Sequence, residues 1–569
     1  MAASNRWILT AALVAGIAAL AALNGAEGQA QSSPALRPNV VMIMTDDQTL
    51  ESMRVMPNVK TLLADQGVTF DNNFVSYSLC CPSRATYLTG QYAHNHGVWG
   101  NSAPNGGYYK LDSTNTLPVW LNRAGYQTMH IGKYLNGYGT RNAREVPPGW
   151  GLWYGSVDPT TYRYYNYTLN ENGTTVNYGT GVANYQTDVY ARKAVSLIAA
   201  QAVDPRPFFL SVAFLAPHSG GPRDPDDPAG QATPSPAPRH RNLFRTQALP
   251  VPASFNEADV SDKPAAIRNR PLLTTARINR IRENYQQRLE SLLAVDEAVA
   301  QIVNQLAAIG KLDQTYIIFT SDNGFMHGEH RVPQGKVVLY EPSIRVPLII
   351  RGPNLPAGVH RSQFVENIDL APTIVDVTDA QPGRVMDGKS LIPFAKDPIL
   401  HSGRDLLLET PTYAAIRTPN WLYAEHVTGE KELYNLARDR EELNSLHNDL
   451  GLTATRTNLA MRLARLRGCS GVTCRRGPQI GLRSTLQRRR QGCRRSRLFV
   501  RVGGPSSGRV LQTAFYLDGH LLKRDRRRPF TVTVPKRFAK PDGSLFEALV
   551  TLTDSRRMTL GRNIRGCSL

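Results

Sequence analysis

Four short, largely apolar runs, each of strand length and each stopping at polar or charged residues, constrain the fold of this chain more than any other feature. Asn39 to Met44 stops at Thr45-Asp46-Asp47, Thr128 to Ile131 at Gly132-Lys133, Phe208 to Leu215 at Ala216-Pro217-His218, and Tyr316 to Phe319 at Thr320-Ser321-Asp322-Asn323-Gly324. Runs of this kind are strands covered on both faces. Amphipathic stretches lie between them, the clearest from Glu283 to Ile309, where Leu289, Leu292, Leu293, Val299, Ile302, Val303 and Leu306 share one helical face. The alternation predicts an α/β fold, a mainly parallel sheet flanked by helices. Ligands of such sheets bind beyond the carboxyl ends of the strands, so Asp46, Asp47, Lys133, His218, Asp322 and Asn323 are expected at one edge.

The pattern does not run the length of the chain, and 569 residues exceed one compact domain. After about Pro393 come short strands at Tyr413 to Arg417, Trp421 to His426 and Glu430 to Tyr434, then a helix near Leu459 to Leu466. We read residues 31–393 as the catalytic unit and 394–480 as a smaller C-terminal α+β subdomain. Residues 481–569 hold strand candidates at Leu498 to Val502, Leu511 to Leu517, Phe530 to Val534 and Ala548 to Leu552, which predicts a basic, β-rich tail. Ser219 to Pro238, rich in Pro, Gly and Asp, reads as an irregular surface loop.

Charge follows the same division. The net charge is +20, yet Gly451 to Leu569 holds 27 Lys and Arg against 5 Asp and Glu, and the rest of the chain 39 against 41. A basic tail on a neutral body suits an anionic polysaccharide or cell wall; nucleic acid is not expected as a partner. At the other end Arg6 precedes an apolar run, Trp7 to Leu23, and Gly28-Gln29-Ala30 offers a small-x-small cleavage site. Residues 1–30 therefore read as a signal peptide, with an uncleaved anchor as the alternative, and the protein as secreted or extracytoplasmic. In an exported chain Cys469, Cys474, Cys493 and Cys567 are expected in disulfides. The short turn between Cys469 and Cys474 favours that pair, leaving Cys493 with Cys567.

The segment Leu79-Cys80-Cys81-Pro82-Ser83-Arg84-Ala85-Thr86-Tyr87-Leu88-Thr89-Gly90 resembles the signature of the sulfatase family, C-x-P-S-R followed by T-G. Cys80 matches the cysteine that this family oxidises to formylglycine. The companion pieces stand in the family's order: Asp46-Asp47, Gly132-Lys133, Ala216-Pro217-His218, Ser321-Asp322-Asn323-Gly324, and Lys336 before Tyr340-Glu341. The resemblance spans about Pro38 to Arg475. Within the family it is nearest to N-acetylglucosamine-6-sulfatases, through Gly132-Lys133-Tyr134-Leu135-Asn136, Tyr164-Tyr165-Asn166-Tyr167-Thr168 and Cys469-Ser470-Gly471-Val472-Thr473-Cys474-Arg475.

The resemblance implies an alkaline-phosphatase-like sheet and hydrolysis of a sulfate ester on a carbohydrate, such as 6-sulfated N-acetylglucosamine. It implies 3-oxoalanine (formylglycine) at Cys80, made by a formylglycine-generating enzyme. Its hydrate would present one hydroxyl to attack sulfur and another to expel sulfate. Asp46, Asp47, Asp322 and Asn323, with residue 80, would hold Ca²⁺, Mg²⁺ being the alternative; an all-oxygen set disfavours zinc. Arg84, Lys133 and Lys336 match the family's sulfate-neutralising cations, and His218 with Lys336 would protonate the leaving oxygen. Where many sulfatases carry a histidine two residues after the first lysine, this chain has Leu135.

Two other readings remain open on sequence: a phosphonate or phosphodiester hydrolase of the same superfamily, and an inactive polyanion-binding protein. For His94 and His96 both substrate contact and structural hydrogen bonding are open. His330 is expected beside the substrate, and Tyr162 to Tyr167 in aromatic packing, with the lining of a sugar site as the alternative.

Overall fold

The computed structural model describes residues 37–569 except 226, 228–229, 399, 401–402, 476–480, 488–496, 504–508, 536–537, 541–543, 553–556 and 565–569. The expected signal peptide and the Cys493–Cys567 pair lie outside the described residues.

Ten strands form the main sheet: β1 (Asn39–Thr45), β2 (Val68–Phe74), β3 (Gln127–Gly132), β4 (Leu152–Ser156), β5 (Tyr167–Glu171), β6 (Thr174–Tyr178), β7 (Phe208–Ala213), β8 (Thr315–Ser321), β9 (Leu348–Arg351) and β10 (Val359–Glu366). Their order is β10-β2-β9-β8-β1-β7-β3-β4-β5-β6. β1 pairs in parallel with both β7 and β8, and β7 with β3. β9 and β5 run against their neighbours. Adjacent strands stand about 4.8 Å apart, so the ends of β8, β1, β7 and β3 fall along one short edge.

Both faces of the central strands are covered, as their apolar runs predict. Val41, Ile43, Leu210, Val212, Ile317 and Phe319 face one layer of side chains; Val40, Met42, Phe209 and Ile318 face the other. Of the helices α1 (Cys80–Thr89), α2 (Leu117–Arg123), α3 (Gln186–Ala200), α4 (Thr275–Ala308) and α5 (Leu370–Thr378), α3 and α4 cover the first face and α1, α2 and α5 the second. The first face buries Leu289, Leu292, Ile302 and Leu306 of α4, each contributing about 1.5–3 kcal/mol of burial.

Downstream, β11 (Leu406–Glu409), β12 (Tyr413–Arg417), β13 (Trp421–His426) and β14 (Lys431–Asn435) make an antiparallel sheet in that order. Helix α6 (Thr453–Arg467) packs on it through Leu459, Leu463 and Leu466, and the Cys469–Cys474 disulfide closes the turn that follows. The tail carries β15 (Gly481–Gln487), β16 (Arg497–Gly503), β17 (Val510–Leu517), β18 (His520–Asp525), β19 (Thr531–Pro535), β20 (Ser544–Leu552) and β21 (Arg557–Ile564). They form two antiparallel sheets, β15-β16-β19 and β18-β17-β20-β21, which share one apolar cluster including Val500, Val532, Phe515 and Val550. Among the described residues no helix is long and apolar enough to cross a membrane.

Candidate active site

Strand geometry alone would turn Asp46 and Asp47 to opposite sides, because side chains alternate along a strand. The chain leaves β1 through Asp47 at φ +68°, a left-handed conformation that aspartate tolerates, and both carboxylates stay buried at one place. Two bonds to the end of β8 fix this turn: Asp47 N–H to Asp322 Oδ1 at 3.1 Å and Gln48 N–H to Ser321 Oγ at 2.9 Å.

Helix α1 delivers Cys80 at its first position. All ten residues of the helix are buried, and it ends at Gly90, whose φ of +67° is the left-handed stop that glycine allows. Its N-terminus contributes positive potential where an anion would lie. Ser83 Oγ donates to the Asp322 carbonyl and accepts from Asn367 Nδ2 at 2.9 Å, tying α1 to β8. The adjacent cysteines part company here. Cys81 packs in the apolar cluster of its face, whereas the Cys80 thiol stands 3.5 Å from Asp46 Oδ1 and accepts from Lys336 Nζ at 2.8 Å.

Lys336 reaches that position from an irregular loop in which Val337 has φ +68°. A β-branched residue in the left-handed region is strained, and Val337 N–H is held by the Ser78 carbonyl and hydroxyl at 3.2 Å each. Lys336 also bonds Asp47 Oδ1, while Lys133, at the end of β3, bonds Asp46 Oδ2. Arg84 donates through Nε to Asp322 Oδ2 and through Nη1 to the Lys133 carbonyl, both at 2.8 Å; its Nη2 makes no hydrogen bond and stands 3.4 Å from Asp46. His218 Nδ1 donates to the Ser219 carbonyl at 2.6 Å, which leaves Nε2 3.7 Å from Asp47 Oδ2. Asn323 Nδ2 donates to Asp47 Oδ1 at 2.6 Å.

The electrostatics follow from burial and these pairs. Burial alone would raise Asp46 and Asp47, but Lys133, Arg84 and His218 around the first and Lys336 and His218 around the second hold both at about 2. Burial, reinforced by Asp46, pushes the Cys80 thiol up to about 12. Burial lowers His218 against the pull of Asp47 and Asp46. A metal fits this donor set: ligand atoms of Asp46, Asp47, Cys80 and His218 lie within 4.8 Å of one another, and Asp322 and Asn323 bond directly to Asp47. Carboxylates and an amide oxygen are hard donors suited to a hard divalent cation.

Every residue expected at the strand ends is brought together, and so are Cys80, Arg84 and Lys336. His330 is not. It is buried, bonded through Nδ1 to Glu257 at 2.6 Å and packed against Tyr340 with the ring centroids 4.1 Å apart, so the expectation of a substrate contact is corrected. His94 bonds Glu409 and the Cys469 carbonyl, and His96 bonds Thr86 and the Val98 amide; both are structural. Of the tyrosine run, Tyr164, Tyr165 and Tyr167 are core residues, but the Tyr162 ring lies 5.1 Å from that of His218.

Arg288 is a site neighbour that no sequence motif marks. It stands on the buried face of α4, donates to the Asp47 carbonyl and lies 4.0 Å over the Phe325 ring. A charged residue inside the apolar stripe of an amphipathic helix was the signal available.

Cations converging with buried carboxylates and a helix N-terminus on one side chain make a site suited to a tetrahedral anionic group. The model of the family described as Sulfatase matches residues 38–380, and one described as N-sulphoglucosamine sulphohydrolase, C-terminal, matches 328–468. An arylsulfatase of Volvox carteri is 36% identical over 494 residues, covering 77% of this chain and 76% of that protein. An N-acetylglucosamine-6-sulfatase of Capra hircus is 32% identical over 503 residues, covering 79% and 87%. A solved structure described as a complex with its substrate D-glucosamine-2-N,6-O-disulfate superposes with a TM-score of 0.63 at 24% identity, covering 75% of this chain and 97% of that one. The chain belongs to the sulfatase family and is a sulfuric ester hydrolase.

Proposed function

We propose that this protein is a secreted or extracytoplasmic, formylglycine-dependent sulfatase acting on a sulfated carbohydrate, with 6-sulfated N-acetylglucosamine as the favoured unit. The observation that carries the reading is Cys80 itself, buried at the first turn of α1 and within bonding reach of Lys336 and Asp46. A thiol held near 12 is protonated at neutral pH and a poor nucleophile, which favours a converted side chain at this position. Formylglycine made there by a formylglycine-generating enzyme would supply, as its hydrate, a hydroxyl nucleophile and a second hydroxyl for release of sulfate.

The remaining roles belong to the chain's own residues. Lys133, Lys336 and Arg84 neutralise and orient the sulfate oxygens; the unbonded Nη2 of Arg84 is a donor free for this purpose. His218 with Lys336 protonates the leaving oxygen; against burial, Asp47 holds the Lys336 ammonium above the ordinary lysine range, so it is charged at neutral pH. Asp46, Asp47, Asp322 and Asn323 would hold Ca²⁺, or Mg²⁺, which would add charge neutralisation at the sulfate. Residues 31–393 and 394–480 would make up the enzyme, and 481–569 a basic anchor to anionic polysaccharide or cell wall. The relatives named as arylsulfatase and N-acetylglucosamine-6-sulfatase support the substrate class.

Mass spectrometry of the peptide spanning residues 80 and 81, from protein that hydrolyses an aryl sulfate faster than an aryl phosphodiester, tests the reading. An aldehyde is expected at Cys80 and an unmodified thiol at Cys81. Cys80→Ala and Cys80→Ser should both lose turnover. Active enzyme without the aldehyde, or an active Cys80→Ala variant, would overturn the mechanism. Preference for the phosphodiester would overturn the substrate.

A further inference from the structure

The sulfate half of the ester is accounted for by the cations around Cys80; what meets the alcohol half is not. We propose that Tyr162 is a specificity-determining residue whose ring is the wall along which the departing alcohol lies. The inference rests on the sulfate-ester reading of the site.

Tyr162 ends a short helical turn, Thr160–Tyr162, and is the partly exposed member of a tyrosine run whose other members are buried. Its ring stands 4.7 Å from Lys133 Nζ and 5.1 Å from the His218 ring, tilted 47° to it. It therefore borders both the sulfate-binding side of the site, at Lys133, and the leaving-group side, at His218. An alcohol whose oxygen meets His218 leaves the site past this ring. The C–H faces of a pyranose suit an aromatic wall, which gives apolar contact without demanding a hydrogen bond.

The wall is built rather than incidental. Asn136 Nδ2 donates to the Tyr162 hydroxyl, Gly221 N–H to the Tyr162 carbonyl at 3.0 Å, and Gln186 Nε2 to the Thr161 carbonyl at 3.1 Å. The carbonyl of the same Gly221 accepts Tyr164 N–H at 2.7 Å, and Tyr164 donates its hydroxyl to the His218 carbonyl at 2.8 Å. One set of bonds thus fixes Tyr162 and His218 to each other. The position beside Asn136 explains the order of the Lys133-Tyr134-Leu135-Asn136 segment: Leu135 is buried in the core, and Asn136 is the side chain that reaches the ring.

The test is steady-state kinetics of wild type, Tyr162→Ala, Tyr162→Phe and Tyr162→Leu on 6-sulfated N-acetylglucosamine and on methyl sulfate, which has no ring, with inhibition by free inorganic sulfate alongside. An aromatic contact contributes about 0.5–1.5 kcal/mol, so Tyr162→Ala should raise KM for the sugar about two- to twelvefold, with a smaller fall in kcat. The same variant should leave the inhibition constant of sulfate and KM for methyl sulfate in place, and Tyr162→Phe should keep most of the sugar affinity. Tyr162→Leu keeps bulk without a ring and gives the same reading if the alanine variant does not fold. Equal KM for the sugar in wild type and the leucine variant, or a parallel rise in the sulfate inhibition constant, overturns the inference. A wild type that turns over no sulfate ester overturns the functional reading instead.

Discussion

Arg84→Ala would remove one guanidinium and strip Asp322 of its 2.8 Å partner, while Asp46 keeps Lys133. Arg84 is 3% exposed and both carboxylates are fully buried, so water offers little compensation. Breaking such a buried pair costs about 3–5 kcal/mol. With an unfolding entropy of about 2.1 cal/mol/K per residue, a unit of about 350 residues loses roughly 4–7 °C of thermal midpoint for that cost. Turnover should fall further than stability suggests, by about 10²–10³ in kcat, because a preorganised donor to the sulfate is gone. Arg84→Lys separates the two effects. It keeps the charge, so the midpoint should recover in part, but one ammonium cannot serve both Asp322 and the Lys133 carbonyl. Calorimetry with and without chelator, beside aryl sulfate turnover, gives both readouts. A midpoint in Arg84→Ala within about 1 °C of wild type would refute the assignment of a buried, strongly coupled pair.

Asp46 and Asp47 carry folded-state values of about 2 against an ordinary 3.8, so the stability they contribute is present above about pH 4 and lost as pH falls toward 2; circular dichroism of chelator-treated protein should place its acid transition there, and Lys133→Met should move it to higher pH. Burial pushes Glu366 the other way, up to about 8, and one of its oxygens has no partner. The stability it contributes is therefore lost between about pH 4.5 and 8, and Glu366→Gln should narrow the difference in thermal midpoint between pH 5 and pH 8; an unchanged difference would count against a protonated Glu366. Arg526, Arg527 and Arg528 are exposed beside β18, so truncation after Arg475 should lower the salt needed to elute the protein from a sulfated polysaccharide matrix while aryl sulfate turnover persists. Elution at unchanged salt would remove the anchoring role from the tail.

The centre of the sheet was legible because β1, β7 and β8 are apolar on both faces, and a run of that length with no polar side fits little besides a strand covered from above and below. β2 was not: Val-Thr-Phe-Asp-Asn-Asn-Phe mixes polar residues into a strand whose burial is uneven. The β5–β6 hairpin at the sheet's end was hidden for the same reason, since β6 buries none of its residues. The site residues were legible where they follow strands in fixed order. Arg288 was not, because it comes from a helix flank whose approach to the site depends on packing across the whole domain; the tyrosine run was marked, but not that Tyr162 alone of its tyrosines leaves the core for the site. His330 misled by proximity in sequence to Asn323; its left-handed backbone, φ +50°, turns it away toward Glu257.

The placement of β1 also governs how the protein can be made. Ser321 at the end of β8 bonds Thr45 across 276 residues of chain, and the Phe208 amide at the start of β7 bonds Asn39 across 169. At a synthesis rate of about 5–20 residues per second, the first partner of β1 emerges roughly 8–34 s after it and the second roughly 14–55 s after it. Throughout that interval a strand with no polar face has to be kept from its own copies on neighbouring nascent chains. Yield should therefore depend on chaperone supply and translation speed more steeply than the stability of the finished fold would suggest.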